Sequence, residues 1–290
     1  MTSLSIYLTP CLGFQPSHNT MNLPLLFIAL LALPSLTLAS HGKTTVRKFN
    51  SEEDVAVALA KYTANLSHKY IKEKGSFSVV LSGGTLIHTL RKLVETPYNT
   101  TINWSKWEMF WVDERVVPLD HPLSNYKLAL DAFLSKVPIP RSSIFPITYK
   151  RSPAEVAVDY EVRLKTLVED KIIPLSATGF PKFDLILLGI GPDGHIASLF
   201  PNRPQRYEKK RWITFITNSP KPPPARITFT FPVINSASDI AMVVTDKEEA
   251  EAVAVGLGYA VVSPTLPCAE VKAKNELTWF LDKEAASKLH

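Results

Sequence analysis

The chain has 290 residues, of which 46% are hydrophobic and 20% are charged, as in ordinary globular proteins. This length suffices for one large α/β domain or two small ones. The formal net charge is +5, but residues 1–50 supply +3 of it and contain no Asp or Glu. The other basic residues are interspersed with acidic ones, so the sequence argues against a nucleic-acid partner.

The N-terminal part contains an apolar run at 23–39 that ends in small residues. It is short for a transmembrane helix and is interrupted by Pro24 and Pro34, so we expect no stable membrane span in the mature protein. We therefore assign residues 1–45 to a targeting or unstructured segment and residues 46–290 to a single catalytic domain.

The destination of this segment stays open between the plastid and the secretory pathway, with the cytosol as the alternative. No Lys or Arg precedes the apolar run, which is unusual for a signal peptide, whereas residues 1–50 are acid-free and rich in Ser and Thr but poor in Arg. The tripeptide Ser287-Lys288-Leu289 is followed by His290, so a peroxisomal address is not expected.

Cysteine usage also limits the chemistry. Cys11 lies in the targeting segment, so Cys268 is the single thiol that we expect in the folded domain, without a disulfide. Two cysteines this far apart do not form a zinc site.

Hydrophobic periodicity and turn residues predict alternating helices and strands along the domain. A helix is expected from Ser51 until Gly75, and further helices at 86–95, 124–136, 153–170 and 248–257. Strands are expected at 77–81, 107–112, 183–188, 212–216, 240–244 and 277–281. This order predicts an α/β fold with an open, mostly parallel sheet and helices on both faces.

In such sheets the ligand binds beyond the carboxyl ends of the strands. That rule selects the loops 82–85, 113–115 and 189–195. The first of them, Ser82-Gly83-Gly84-Thr85, joins a strand to a helix, so its backbone N–H groups and hydroxyls suit a phosphate. A tight turn without a ligand is the alternative interpretation.

The second loop carries three charges, Asp113, Glu114 and Arg115, directly after a buried strand. Such charges must be solvated, paired or used on a ligand. A salt bridge between Arg115 and a carboxylate is the structural interpretation, and it is compatible with an anion site.

The third loop, Gly189-Ile190-Gly191-Pro192-Asp193-Gly194-His195, follows the most apolar strand of the chain. His195 is the residue best suited to proton transfer near neutral pH, and Asp193 is placed to orient its ring or a ligand hydroxyl. A structural turn with a satisfied histidine is the alternative. The Gly-x-Gly-x-x-Gly spacing is not read as a dinucleotide site, because Pro192 and His195 occupy the expected helix start.

Two further cations are candidates for an anion site. Arg226 follows the rigid segment 221–225, and Lys247 opens a helix, where its charge opposes the helix dipole. Exposed surface charges are the simpler interpretation of each. No Gly-x-Ser-x-Gly element for a nucleophilic serine is present.

These motifs, in this order and spacing, resemble the 6-phosphogluconolactonase branch of the glucosamine-6-phosphate isomerase/6-phosphogluconolactonase family. The resemblance covers roughly residues 46–290 and looks closest to the plant members. It is carried by the stretches Leu81–Thr85, Trp111–Val117, Phe183–Pro201, Arg226–Thr228, Phe231–Asn235 and Trp279–Asp282.

The resemblance implies a modified Rossmann-like fold and hydrolysis of 6-phospho-D-glucono-1,5-lactone to 6-phosphogluconate, in the oxidative pentose phosphate pathway. It implies no metal and no organic cofactor. His195 would be the general base, Arg115 would stabilise charge near the carbonyl, and Asp113 and Asp193 would arrange the site. The phosphate would be held by Ser82, Gly83, Gly84, Thr85, Arg226 and Lys247. We expect a monomer whose partner is a sugar-phosphate lactone.

Two other functions are considered. A glucosamine-6-phosphate isomerase or deaminase would move a proton with Asp113, but that branch typically has Tyr where this chain has Arg115. A non-catalytic sugar-phosphate-binding paralogue is the second alternative, and the presence of Asp113, Arg115 and His195 argues against it.

Overall fold

A computed structural model describes residues 42–149 and 151–289 of the chain. The apolar run at 23–39 lies outside these residues. The strands within them are β1 (Lys43–Phe49), β2 (Phe77–Leu81), β3 (Trp107–Trp111), β4 (Asp113–Arg115), β5 (Leu185–Leu188), β6 (Ile213–Ile216), β7 (Arg226–Phe229), β8 (Asp239–Val244) and β9 (Glu276–Asp282). The helices are α1 (Glu52–Lys74), α2 (Thr85–Thr89), α3 (Tyr98–Thr101), α4 (Asn125–Ala132), α5 (Pro153–Glu169), α6 (Phe231–Ile234) and α7 (Ala250–Gly256).

The central sheet has six strands in the order β1-β9-β8-β5-β2-β3, and every neighbouring pair is parallel. Its strand β5 has only buried residues, as expected for a parallel strand covered on both faces. This confirms the predicted mostly parallel sheet.

Helices cover both faces of that sheet because successive strand residues point to opposite sides. Val80 and Ile186 belong to one buried cluster, which includes apolar residues of α5 and α7. Leu81 and Leu187 belong to a second cluster, which includes apolar residues of α1 and α4.

Local capping explains where the two longest helices begin and end. Ser51 caps α1 by accepting from the backbone N–H of Asp54 (3.2 Å), and Gly75 ends it at φ +87°. Ser152 and Glu155 form a reciprocal capping box at the start of α5. These bounds confirm the predicted ones to within a residue.

Helix α4 ends at Ala132 rather than at the predicted residue 136. Phe133 leaves the helical backbone (φ −137°) and packs its buried ring on Trp104 and Trp107. Helical spacing alone does not reveal such aromatic packing from a distant segment.

Strand β1 begins at Lys43 and pairs in parallel with β9 at the edge of the sheet. Its first three residues therefore fall in the segment that the sequence analysis set aside as residues 1–45. Only Val46 and Phe49 are large apolar residues there, and most of the strand is exposed, so it lacks the pattern of a buried strand.

The strand predicted at 212–216 exists, but it does not join the parallel sheet. It is β6 of a second sheet of order β4-β7-β6, in which both pairs are antiparallel. No crossover helix separates β6 from β7, and a short connection between neighbouring strands gives antiparallel pairing. Among the described residues, no helix is both long enough and apolar enough to cross a membrane.

Candidate active site

A cavity of about 430 Å³ lies at the carboxyl ends of the central strands, where parallel sheets bind ligands. Its size is in the range of small-molecule sites. All three loops selected from the sequence contribute to it. The lining residues are Ser82–Leu86, Asp113, Arg115, Asn125, Gly189–Pro192, His195, Ala197, Lys221, Pro222, Arg226 and Glu249.

His195 and Asp193 form a hydrogen-bonded pair at this cavity. His195 Nδ1 lies 2.5 Å from Asp193 Oδ1, and the imidazole stacks on Phe200 with ring centroids 4.6 Å apart. A carboxylate can only accept here, so Nδ1 is assigned the proton and Nε2 is left as the basic nitrogen. The His195 side chain is 15% exposed, which shields the ring yet keeps it accessible from the cavity.

The charge of Asp193 is favoured by the same contact. Partial burial acts to raise the pKa of Asp193, but the hydrogen bond and charge of His195 outweigh it and hold that pKa below its usual value. Asp193 is therefore ionised at neutral pH, the state in which it orients the imidazole.

Two glycines allow this arrangement. The backbone N–H of Gly191 donates to the His195 carbonyl (3.0 Å), and that of Gly194 donates to the Gly191 carbonyl (2.8 Å). Gly194 has φ +76°, in the left-handed region that favours glycine. A Cβ on Gly191 would lie 2.2 Å from Cε1 of His195, so only glycine leaves room for the ring.

The loop Ser82-Gly83-Gly84-Thr85 forms another part of the cavity wall. Gly84 has φ +74°, and a Cβ on Gly83 would lie 2.0 Å from Oδ1 of Asn125. The Ser82 hydroxyl and Oδ1 of Asn125 are buried without a hydrogen-bond partner among the described residues. Buried polar atoms normally have partners, so these two are available to a ligand.

Glu114 does not pair with the Arg115 side chain. Its carboxylate accepts from the backbone N–H groups of Arg115, Asn125 and Tyr126 (each 2.7 Å) and from the Ser124 hydroxyl (3.1 Å). Burial raises the pKa of Glu114 to about 7, against the lowering effect of the three backbone donors. Glu114 thus caps α4 and fixes the loop, a role that the cluster of charges did not reveal.

Arg115 lines the cavity with part of its guanidinium unpaired. Its Nη1 donates to the Leu123 carbonyl (2.8 Å), while Nε is buried without a partner. Among the ion pairs of the described residues, none involves Arg115. The salt-bridge interpretation of this loop is therefore wrong, and the Arg115 cation can face an anion in the cavity.

Arg226 is buried at the start of β7 and is held by backbone carbonyls. Its Nη2 and Nε donate to three carbonyls of the 221–223 segment at 2.9–3.1 Å. Its Nη1 lies 3.4 Å from the Ser198 hydroxyl, which donates to Oδ2 of Asp113 (2.6 Å). Asp113 and Arg226 are thus positioned together by Ser198, which the sequence analysis did not single out.

The structure brings together all of the predicted site residues except one. Lys247 is exposed in a 3-10 turn before α7 and is not among the described residues that line the cavity. Lys221 and Glu249 line it instead. In the sequence, Lys221 marks only the start of the rigid segment that leads to Arg226. Its position among four prolines was the one feature that could have indicated a fixed place at the site.

Groups that could hold a metal are not found: the described parts of the chain contain no cluster of three or more His, Cys, Asp or Glu side chains suited to an ion. The charged and titratable groups that line the cavity are the cations Arg115, Lys221 and Arg226, the carboxylates Asp113 and Glu249, and His195, which is paired with Asp193. This set suits an anionic ligand and proton transfer.

Comparison with known families gives an independent result. A profile of the family described as glucosamine-6-phosphate isomerases/6-phosphogluconolactonase matches residues 50–279. The chain belongs to this family.

Relatives within the family are plant proteins of high identity. A rice protein (Oryza sativa subsp. indica) named "Probable 6-phosphogluconolactonase 4, chloroplastic" is 57% identical over 244 residues, covering 83% of this chain and 75% of the relative. An Arabidopsis thaliana protein named "6-phosphogluconolactonase 3, chloroplastic" is 52% identical over 259 residues, covering 89% and 79%.

Solved structures of family members share the fold. A 6-phosphogluconolactonase from Trypanosoma brucei has a TM-score of 0.75 at 25% identity, covering 87% of this chain and all of that one. One from Thermotoga maritima has a TM-score of 0.70 at 26% identity, covering 83% of this chain and all of that one. The modified Rossmann-like fold implied by the resemblance is thus confirmed.

The Gly191→Ala variant tests whether this family site depends on the room beside His195. The added methyl would displace the ring, and a misplacement of about 1 Å costs on the order of 100-fold in rate. We expect kcat for hydrolysis of 6-phosphogluconolactone, the activity in the names of the relatives, to fall by about that factor. Gly179→Ala is the control: Gly179 has φ +80° in an exposed turn, and nothing lies within 4 Å of its added Cβ. That variant should lose stability but keep kcat, and an equal loss in both variants would contradict the account.

Proposed function

We propose that the protein is a 6-phosphogluconolactonase, which hydrolyses 6-phospho-D-glucono-1,5-lactone to 6-phosphogluconate. The observation that carries the proposal is the Asp193–His195 pair, whose histidine lines the same cavity as the Ser82–Thr85 loop. The names of relatives that are 52% and 57% identical support the same activity.

His195 acts as the general base. With Nδ1 donating to Asp193, Nε2 takes a proton from a water molecule as its oxygen attacks the lactone carbonyl carbon. The carbon–ring oxygen bond then breaks, and the imidazolium returns the proton to that oxygen as it leaves. A lactone is an activated ester, so no covalent serine intermediate is needed.

Cationic groups stabilise the charge that develops on the carbonyl oxygen. Arg115 has a buried Nε without a partner at the cavity, and preorganised donors of this kind contribute strongly in a site that excludes water. Asp113 acts indirectly: with Ser198 it holds Arg226 in place rather than touching the reacting atoms.

The phosphate anchors the substrate at a distance from the carbonyl. Backbone N–H groups of Gly83 to Thr85 and the unpartnered Ser82 hydroxyl supply donors, and Arg226 supplies charge. Lys221 lines the same cavity and replaces Lys247 in our assignment of the phosphate cations. Binding energy from this remote group orients the lactone for attack.

The isomerase or deaminase alternative needs a carboxylate free to move a proton between carbons. Asp113 is buried, and its oxygens already accept from Ser198 (2.6 Å) and Asn125 (3.5 Å). A solved monomeric glucosamine-6-phosphate deaminase is 23% identical with a TM-score of 0.67, a similarity of fold alone. The intact histidine–carboxylate pair argues against the non-catalytic alternative.

The activity is tested by lactone hydrolysis above the spontaneous rate, with wild type and His195→Ala compared. Loss of the base should lower kcat by about 100- to 10,000-fold while 6-phosphogluconate still binds. His68→Ala, which removes an exposed histidine of α1, is the matched control and should leave kcat unchanged. Ammonia release from glucosamine 6-phosphate without lactone hydrolysis would overturn the proposal.

We also propose that the residues before the described domain direct it to the plastid. Two relatives carry the word chloroplastic in their names, whereas an Arabidopsis relative, "Probable 6-phosphogluconolactonase 5", 55% identical over 247 residues, does not. The full chain fused at its C-terminus to a fluorescent protein should accumulate in plastids of leaf cells. Cytosolic or secreted fluorescence would refute this destination.

A monomer is the assembly that we propose. One chain supplies every group assigned above, so the site needs no second copy. Light scattering of the purified protein should give the mass of a single chain.

A further inference from the structure

The wall of the cavity contains an acidic side chain that the mechanism does not use. Glu249 lies in the 3-10 turn Lys247–Glu249, between β8 and α7. Of this turn, Glu249 lines the cavity, whereas Lys247 is exposed. A turn expected to bring a positive charge to the phosphate thus brings a negative one.

The two carboxylates in the cavity wall differ in their partners. Both oxygens of Asp113 accept hydrogen bonds from side chains. Oε2 of Glu249 is buried without a hydrogen-bond partner among the described residues. Burial and the neighbouring Asp246 raise the pKa of Glu249, while its own backbone N–H and Lys221 lower it. The raising effects prevail, so the charge of Glu249 is only partly compensated at the cavity.

The size of the cavity sets the strength of its effect on a ligand. A sphere with the volume of this cavity, about 430 Å³, is roughly 9 Å across, and we take this length as the separation between a bound phosphate and Glu249. At that distance and an effective dielectric constant of about 20, repulsion of a phosphate dianion, reduced by salt screening, weakens binding by roughly tenfold.

A second effect would act in the opposite direction. Oε2 could accept a hydrogen bond from a sugar hydroxyl, and such a bond is worth about fivefold after the lost bond to water. It requires one specific pose, whereas the repulsion acts on both phosphate charges wherever they lie in the cavity. The repulsion is therefore the larger effect.

We propose that Glu249 is a specificity-determining residue, which weakens binding of the phosphate dianion and so narrows the preference for phosphorylated over unphosphorylated aldonolactones. This inference rests on the proposed function, because it takes the phosphate ester to bind in this cavity.

The test is calorimetric titration of wild type and Glu249→Gln with 6-phosphogluconate and with gluconate. Gln keeps the size of the side chain and one acceptor oxygen but removes the charge. We expect 6-phosphogluconate to bind about tenfold tighter to the variant, beyond any change for gluconate, which carries the same carboxylate but no phosphate. Thermal unfolding of both proteins checks that the variant folds.

Glu248→Gln is the matched control, because Glu248 is the exposed neighbour that does not line the cavity. It removes the same charge and should change either affinity by less than about twofold, since exposed charges are strongly screened. Weaker 6-phosphogluconate binding by Glu249→Gln, or equal gains in both variants, would overturn the role of Glu249. Wild type that binds gluconate and 6-phosphogluconate equally, without lactonase activity, would instead refute the proposed function.

Discussion

The hydrogen bond between Asp193 and Nδ1 of His195 is the interaction on which the chemistry of this site depends. It decides which ring nitrogen carries a proton, and it leaves Nε2 unprotonated at the cavity, where we propose that it acts as the base. The bond exists because the loop turns sharply enough to return the His195 carbonyl to the N–H of Gly191. A methyl group on Gly191 would occupy the space of the ring, so the geometry of the Asp193–His195 pair depends on this backbone turn.

The parallel sheet brings this pair to the groups that we propose bind the substrate. Strands β5 and β2 are neighbours, so the loops that follow them, with His195 and with Ser82, open into the same cavity. Strand β3 lies beside β2, and the chain after it passes directly into β4 with Asp113 and Arg115. The small antiparallel sheet then places Arg226 opposite Arg115 in register, which adds the buried cation to the same wall.

Much of this could be predicted from the sequence, for identifiable reasons. The bounds of α1 follow from Ser51 and Gly75, which act locally through capping and backbone conformation. The position of His195 followed from a general property of parallel sheets, which needs only the strand that precedes the loop.

The remainder depends on contacts between distant segments. Strand β1 pairs with β9 at an exposed edge of the sheet. Strand β6 pairs with β7 across a connecting segment without hydrophobic periodicity, so the sequence pattern does not predict that pairing. Glu114 caps a helix that begins eleven residues later, and such a contact leaves no mark in local spacing. Lys247 and Glu249 are two positions apart in one turn, and the sequence alone does not show which of them lines the cavity.

The most direct test of the central claim is the tautomer of His195, measured by nitrogen-15 NMR of the histidine-labelled protein at a pH where the ring is neutral. The account predicts a protonated Nδ1 and an unprotonated Nε2, with this preference reduced in Asp193→Asn. A protonated Nε2 in the wild-type protein, or a tautomer unaffected by Asp193→Asn, would contradict it.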